Sequence, residues 1–240
     1  MNFLVLAFKR LTGFPVGRFF VFFGTLKEVK DLINKEFEIN NANRGSKKIF
    51  ATLGASNHSE QEREVNDYYA THPKALELLL NEESFSHNIW EPACGGGHLS
   101  DVLKQHGHNV KSSDLVDRGY AGTEVIDFFK TDSTTIPDGE RWDIITNPPY
   151  KHAQQFIEHA MEISPVGTKV AMFLRLQFLE SKARQEFFNK YPPVVFYVSR
   201  SRIPCAKNGN FENIGRSAVP YAWFIWEKGY NGTTIMKQFN

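Results

Sequence analysis

The sequence predicts an α/β domain, a parallel sheet of seven strands with crossover helices on both faces. Three observations predict it. From Asp67 onward strand and helix signals alternate along the chain, the pattern of repeated βαβ units. Three glycines, Gly95 to Gly97, stand where the first strand of that series turns into a helix. The 240 residues, 41% hydrophobic and 23% charged, suffice for one such domain with a full core and a modest appendage.

Taken in order, residues 73–80 read as a helix opening after Thr71, with Pro73 at its start. A buried strand begins at 88–90, and 99–106 is helical with Gly107 as its stop. The second strand is 109–113, the third 123–126 and the fourth 142–146, followed by a helix over about 153–163. A fifth strand spans 169–174, a helix with a serine cap 181–190, a sixth strand 194–199, and the apolar run 221–227 is the seventh. Between the last two lies a polar connection, 200–218, with Arg200, Arg202, Lys207 and Arg216. A loop of that length in a compact domain is usually functional or disordered. Residues 1–62 read as a separate piece, either a small accessory element or a poorly ordered extension, with an amphipathic helix at 26–37 and no visible chemistry. The domain proper is 63–240.

The net charge of +1 averages two opposed regions. Residues 114–143 hold eight acidic and three basic side chains, whereas 169–216 hold nine basic and three acidic. A nucleic acid would prefer the second stretch, although a merely solvated basic face fits the charge alone equally well. Cys94 and Cys205 stand far apart without a C-x-x-C, which argues against a disulfide framework and a zinc site and fits a reducing compartment. Lys9, Arg10 and Arg18 interrupt the apolar first 23 residues, so no bilayer span or secretory signal is expected there. A cytoplasmic protein that uses no metal is the expectation.

Two motifs carry chemistry. Glu91-Pro92-Ala93-Cys94-Gly95-Gly96-Gly97-His98 follows a strand and precedes a helix. Glycines there permit positive φ and let a ligand approach bare backbone, beside the unpaired N–H groups of a helix start. Asp114 ends the next strand, nineteen residues after Gly95, the offset at which a carboxylate meets ribose hydroxyls. No Gly-Lys-Ser/Thr follows, so the site suits a nucleoside-type cofactor and not a triphosphate; a purely structural glycine turn is the duller reading. The second motif, Asn147-Pro148-Pro149-Tyr150, ends the fourth strand. Residues before proline are held extended. The Asn147 side-chain carbonyl and the Pro148 main-chain carbonyl then form a stiff pair of acceptors beside the Tyr150 ring, suited to a planar ring bearing an amine.

These two motifs together resemble the amino-group DNA methyltransferases, in particular the adenine-N6 branch in which the cofactor turn precedes N-P-P-Y. The resemblance covers about Asp67 to Gly229. Its combination with Asp117-Arg118-Gly119-Tyr120 and with the run 221–229 is similar to stand-alone phage or prophage enzymes of the restriction-modification kind. It implies the Rossmann-like sheet of class I S-adenosylmethionine-dependent methyltransferases, with that molecule as cofactor. Glu91, Ala93, Gly95 and Gly97 would hold its methionine part. Asp114 would bind the ribose with Leu115 on the adenine ring, and Asp127 and Phe128 would take the adenine amine and ring. Thr71 would touch the carboxylate, although the Thr-Pro of the family is interrupted here by His72. Asn147, Pro148, Pro149 and Tyr150 would hold a target adenine flipped out of double-stranded DNA, and Arg200, Arg202, Lys207 and Arg216 would meet the DNA.

Duller readings stand beside these. Asp127 could cap the element that follows it, Phe128 or Phe129 could be core, and Cys94 reads as a small packing residue. Among functions, a glutamine-amide protein methyltransferase also uses N-P-P-Y, RNA adenine is a further substrate, and a non-catalytic nucleic-acid-binding module is the reading from another class.

Overall fold

The computed structural model describes residues 68–136, 140–207, 209, 211 and 219–239. The expected N-terminal piece, 1–62, and Arg216 lie outside the described residues.

The chain begins with a short strand, β1 (Tyr69–Thr71), and a helix, α1 (Pro73–Glu82), followed by β2 (Asn88–Glu91), α2 (His98–Gln105), β3 (Asn109–Asp114) and β4 (Glu124–Val125). Then come β5 (Trp142–Thr146), α3 (Ala153–Ile163), β6 (Lys169–Arg175), α4 (Gln185–Lys190), β7 (Val195–Ser199), β8 (Cys205–Lys207), β9 (Tyr221–Glu227) and β10 (Ile235–Phe239). The main sheet has eight strands in the order β10-β7-β9-β6-β5-β2-β3-β4. The reversal of strand order between β2 and β5 is the point at which an open α/β sheet receives a ligand.

Side-chain alternation builds two cores. Trp90, Ile144, Val170, Met172, Leu174, Phe224 and Trp226 face a layer supplied by α3, α4 and Phe128. Their neighbours Ile89, Ile145, Ala171, Phe173, Trp223 and Ile225 face α1 and α2. Both faces of the sheet are therefore covered, as expected, and this is why the interiors of β6 and β9 read as continuous apolar runs. Fully buried Trp223 and Trp226 keep their indole N–H groups satisfied by the Ala75 and Tyr191 carbonyls.

Five expectations change. The sheet holds eight strands, because β10 adds in parallel to the edge strand β7. β9 runs antiparallel to both of its neighbours, β6 and β7, so the sheet is mixed. The third expected strand shrinks to two exposed residues paired on one side only. Ser181 makes no side-chain cap; a 3-10 turn, Lys182–Arg184, leads into a shorter α4. The connection 200–218 is also not wholly a loop: β8 pairs antiparallel with β1, Thr71 opposite Cys205 and Tyr69 opposite Lys207. Among the described residues no helix is long and apolar enough to cross a membrane.

Candidate active site

The carboxyl ends of β2, β3 and β5, and the turn after β4, open into a cavity of about 300 Å³. That is the lower end of the range of small-molecule sites. Thr71, Glu91, Ala93, Asp114, Leu115, Asp127 and Phe128 line it, and so do Asn147, Pro148, Pro149 and Tyr150. Residues from both motifs thus meet in one space, although 56 positions separate Glu91 from Asn147.

Asn147 is the best-defined member. Its amide Nδ2 donates to the Tyr69 carbonyl at 2.7 Å, while its Oδ1 is buried and has no hydrogen-bond partner among the described residues. A buried amide oxygen left unmade costs about 1–3 kcal/mol, so such an atom asks for a donor. The following prolines hold the strand end extended, and the Pro149 carbonyl is already taken by the His152 N–H at 2.9 Å.

Tyr150 sits deeper than a bare platform would. Its hydroxyl donates to Tyr221 at 3.0 Å, its ring stacks on Tyr69 at 5.6 Å between centroids, and the Arg175 guanidinium lies 4.3 Å from its centre. Burial pushes the Tyr150 hydroxyl well above the usual tyrosine range, and burial likewise pushes the Cys205 thiol nearby up to about 11. Tyr69 also lines the cavity. The aromatic wall beside Asn147 is therefore a Tyr69–Tyr150 pair.

Glu91 is 1% exposed, and burial pushes its carboxyl up to about 8. The Ser100 hydroxyl donates to it, and Ser100 in turn contacts Ser112 at 2.6 Å. Asp114 accepts from the Gly95 N–H at 2.8 Å through one oxygen and from the Val116 N–H at 3.0 Å through the other. Each carboxylate oxygen has a second lone pair to offer. Leu115 is 60% exposed at the cavity.

The glycine turn differs from the expectation. Gly95 and Gly97 adopt left-handed φ of 54° and 79°, but neither lines the cavity. A Cβ on Gly95 would lie 2.3 Å from the Tyr68 ring, and one on Gly97 would lie 2.2 Å from the Tyr120 ring. The Gly95 N–H is committed to Asp114 and the Gly96 N–H to the Tyr68 hydroxyl at 2.9 Å. Gly95 and Gly97 thus shape the turn and leave room for two tyrosines.

Asp127 is engaged in its own turn and also faces the cavity. It caps the 3-10 turn Phe128–Lys130 by accepting from the Phe129 N–H at 3.1 Å, and it lines the cavity. Phe128 is core, 3% exposed and stacked on Phe156, with the cavity along one side, whereas Phe129 is 41% exposed. Cys94 packs, with Sγ 3.5 Å from the Thr123 hydroxyl and its thiol pushed by burial up to about 12.

Of the expected basic contacts, Arg200 and Arg202 are exposed and Lys207 belongs to β8. Because β8 pairs with β1, this segment is tied to the strand whose Tyr69 carbonyl holds Asn147. Sequence reasoning assigned no role to Tyr68 and Arg118, both on the cavity wall. Arg118 stood within a noted motif, but nothing in its spacing says where its side chain goes. Among the described residues no cluster of three metal-ligating side chains occurs.

No protein-family model and no curated protein matches the sequence. Solved structures do. The fold is similar to that of a Vibrio vulnificus protein described as a modification subunit of a type I restriction enzyme, with 13% identity and a TM-score of 0.50. The match covers 91% of this chain and 53% of that one, so the chain spans about half the length of the subunit. A Listeria monocytogenes protein described as a class I S-adenosylmethionine-dependent methyltransferase matches at 15% identity, TM-score 0.49, over 79% of this chain and 70% of its own. A Pyrococcus horikoshii protein described as an RNA methyltransferase matches at 15% and 0.49, over 76% and 97%. These likenesses concern the fold alone, a Rossmann-like α/β sheet with helices on both faces.

Proposed function

We propose that this chain is an S-adenosylmethionine-dependent methyltransferase acting on the N6 amine of adenine in double-stranded DNA, with the target base flipped out. The observation that carries the reading is Asn147. Its amide is held from behind by a main-chain carbonyl, so that a buried acceptor without a partner among the described residues stands on the wall of a cavity that also carries Glu91, Asp114 and Asp127.

The residues present fit the cofactor. Glu91 is a buried carboxyl suited to an ammonium group, Asp114 retains acceptor capacity for ribose hydroxyls, and Leu115, Phe128 and Phe129 give apolar surface for a purine. When bound, S-adenosylmethionine supplies a methyl group on positively charged sulfur, open to attack by an amine.

The chain's own residues would act on the substrate. An aromatic amine is a poor nucleophile because its lone pair is delocalised into the ring. The Asn147 Oδ1 and Pro148 carbonyl, accepting both of its N–H bonds, localise that pair and stabilise positive charge as it develops. Orientation of the two partners in one cavity supplies up to ~7–11 kcal/mol. Flipping the base out costs a few kcal/mol. Stacking on the wall of Tyr69 and Tyr150, ~1–3 kcal/mol per base, offsets part of it. Arg200 and Arg202, with Lys207 and Arg216, would contact phosphates. The description of the Vibrio vulnificus protein as part of a restriction enzyme is in keeping with a DNA substrate.

The test is direct. Given cofactor with a labelled methyl group and a choice of duplex DNA, RNA and protein, the chain is expected to label DNA, with the label recovered as N6-methyladenine. Label in glutamine side chains or in RNA alone would replace the substrate, and no label anywhere would sink the activity.

A further inference from the structure

The motif Asp117-Arg118-Gly119-Tyr120 has no part in the function proposed above, yet three of its four residues are spent on fixing one loop. Asp117 accepts from the Gly119 N–H at 2.8 Å, closing a tight turn that Gly119 completes at φ 80°. The Tyr120 ring occupies the space over Gly97, where no other residue type would leave room. Its hydroxyl donates to Asp101 at 2.7 Å and accepts from Lys104 at 3.0 Å, which pins the loop to α2. The fourth residue, Arg118, reaches the cavity wall.

There it lies face-on to Tyr68, with the guanidinium 4.2 Å from the ring centre, while the Tyr68 hydroxyl takes the Gly96 N–H. Arg118 is therefore held beside the glycine turn, within electrostatic reach of the same tyrosine that senses Asp114 and Glu91. Among the described residues lining the cavity it is the only lysine or arginine, against Glu91, Asp114 and Asp127. Its Nε is shielded from solvent and has no hydrogen-bond partner among the described residues.

We propose that Arg118 binds the carboxylate at the amino-acid end of the cofactor, an assignment that rests on the cofactor reading above. That end of the molecule carries one ammonium and one carboxylate. The buried Glu91 matches the first, and a guanidinium fork, rigid and permanently charged, matches the second. Thr71, expected from the sequence to meet the carboxylate, is on the wall and 2% exposed, but its hydroxyl brings one donor and no charge. The Tyr68 ring lies against the guanidinium and takes up none of its N–H donors.

Two ligands separate this role from a structural one. S-adenosylhomocysteine carries the carboxylate; 5′-methylthioadenosine keeps the nucleoside and the thioether and lacks the amino-acid part. By calorimetry, Arg118→Ala is expected to weaken S-adenosylhomocysteine about 10- to 100-fold and to leave 5′-methylthioadenosine unchanged. Arg118→Lys is expected to recover part of the loss. Equal weakening of both ligands would make Arg118 a shaping residue and overturn the assignment, as would an unchanged S-adenosylhomocysteine affinity. A wild-type chain that binds neither ligand overturns the cofactor reading itself, and that outcome is distinguishable from both others.

Discussion

Glu91→Gln is the most informative single change, because it separates a buried charge from a buried shape. Glu91 is 1% exposed at the end of β2, the Ser100 hydroxyl donates to it, and burial pushes its carboxyl from an ordinary 4.5 to about 8. Between those values the folded chain keeps a proton that the unfolded chain has released. Stability must therefore fall as pH rises through this window, by about 1.4 kcal/mol per pH unit. From pH 5 to pH 8 that amounts to about 4 kcal/mol, a large fraction of a typical folding free energy of ~5–15 kcal/mol. For a domain of this size it corresponds to roughly 3–6 °C of melting temperature per pH unit. Glutamine keeps the volume and the acceptor for Ser100 but has no proton to lose. Thermal melts of wild type and E91Q across this range should show a gap that closes or inverts in favour of E91Q as pH rises. Parallel curves would refute the reasoning, since they would mean that Glu91 titrates alike in both states.

Gly97→Ala should destabilise by about 2 kcal/mol or more, because it meets both a left-handed backbone and the Tyr120 ring. Gly107→Ala, at φ 86° with open space around it, should cost only about 1 kcal/mol, and equal melting temperatures for the two variants would contradict the packing described for the turn. Reversing charge at Arg200 and Arg202 together should weaken DNA binding and lower the slope of log affinity against log salt by about one for each phosphate no longer neutralised. An unchanged slope would take the segment out of the interface.

The sequence was most legible where a signal is local and periodic. The runs at β5 and β9 and the helix α3 fall where apolar spacing puts them, and Gly107 stops α2 in the left-handed conformation. The two motifs likewise converge because each ends a strand and strand ends share one edge of a parallel sheet. What escaped lay in pairings that no spacing encodes. β1 and β8 are three residues each and meet across 134 positions between Thr71 and Cys205, too short for any period to show. β10 carries mostly exposed residues and is held by pairing with β7 and by the buried Phe239. The motif marks Gly95 and Gly97 as turn glycines, but it does not say what covers the turn, and here tyrosines from distant segments do. Tyr150 shows the same limit: its position in the motif was plain, while its contacts with Tyr69 and Arg175 depend on the tertiary fold.

Methyl transfer is expected to depend on the Asn147 Oδ1, unpartnered among the described residues, accepting a hydrogen bond from the reacting amine. Single-turnover methyl transfer to DNA by Asn147→Ala, measured beside calorimetric binding of S-adenosylhomocysteine, tests it most directly. The rate should fall at least ~100-fold, with cofactor affinity nearly unchanged. A variant that transfers methyl groups within a few-fold of the wild-type rate would contradict it.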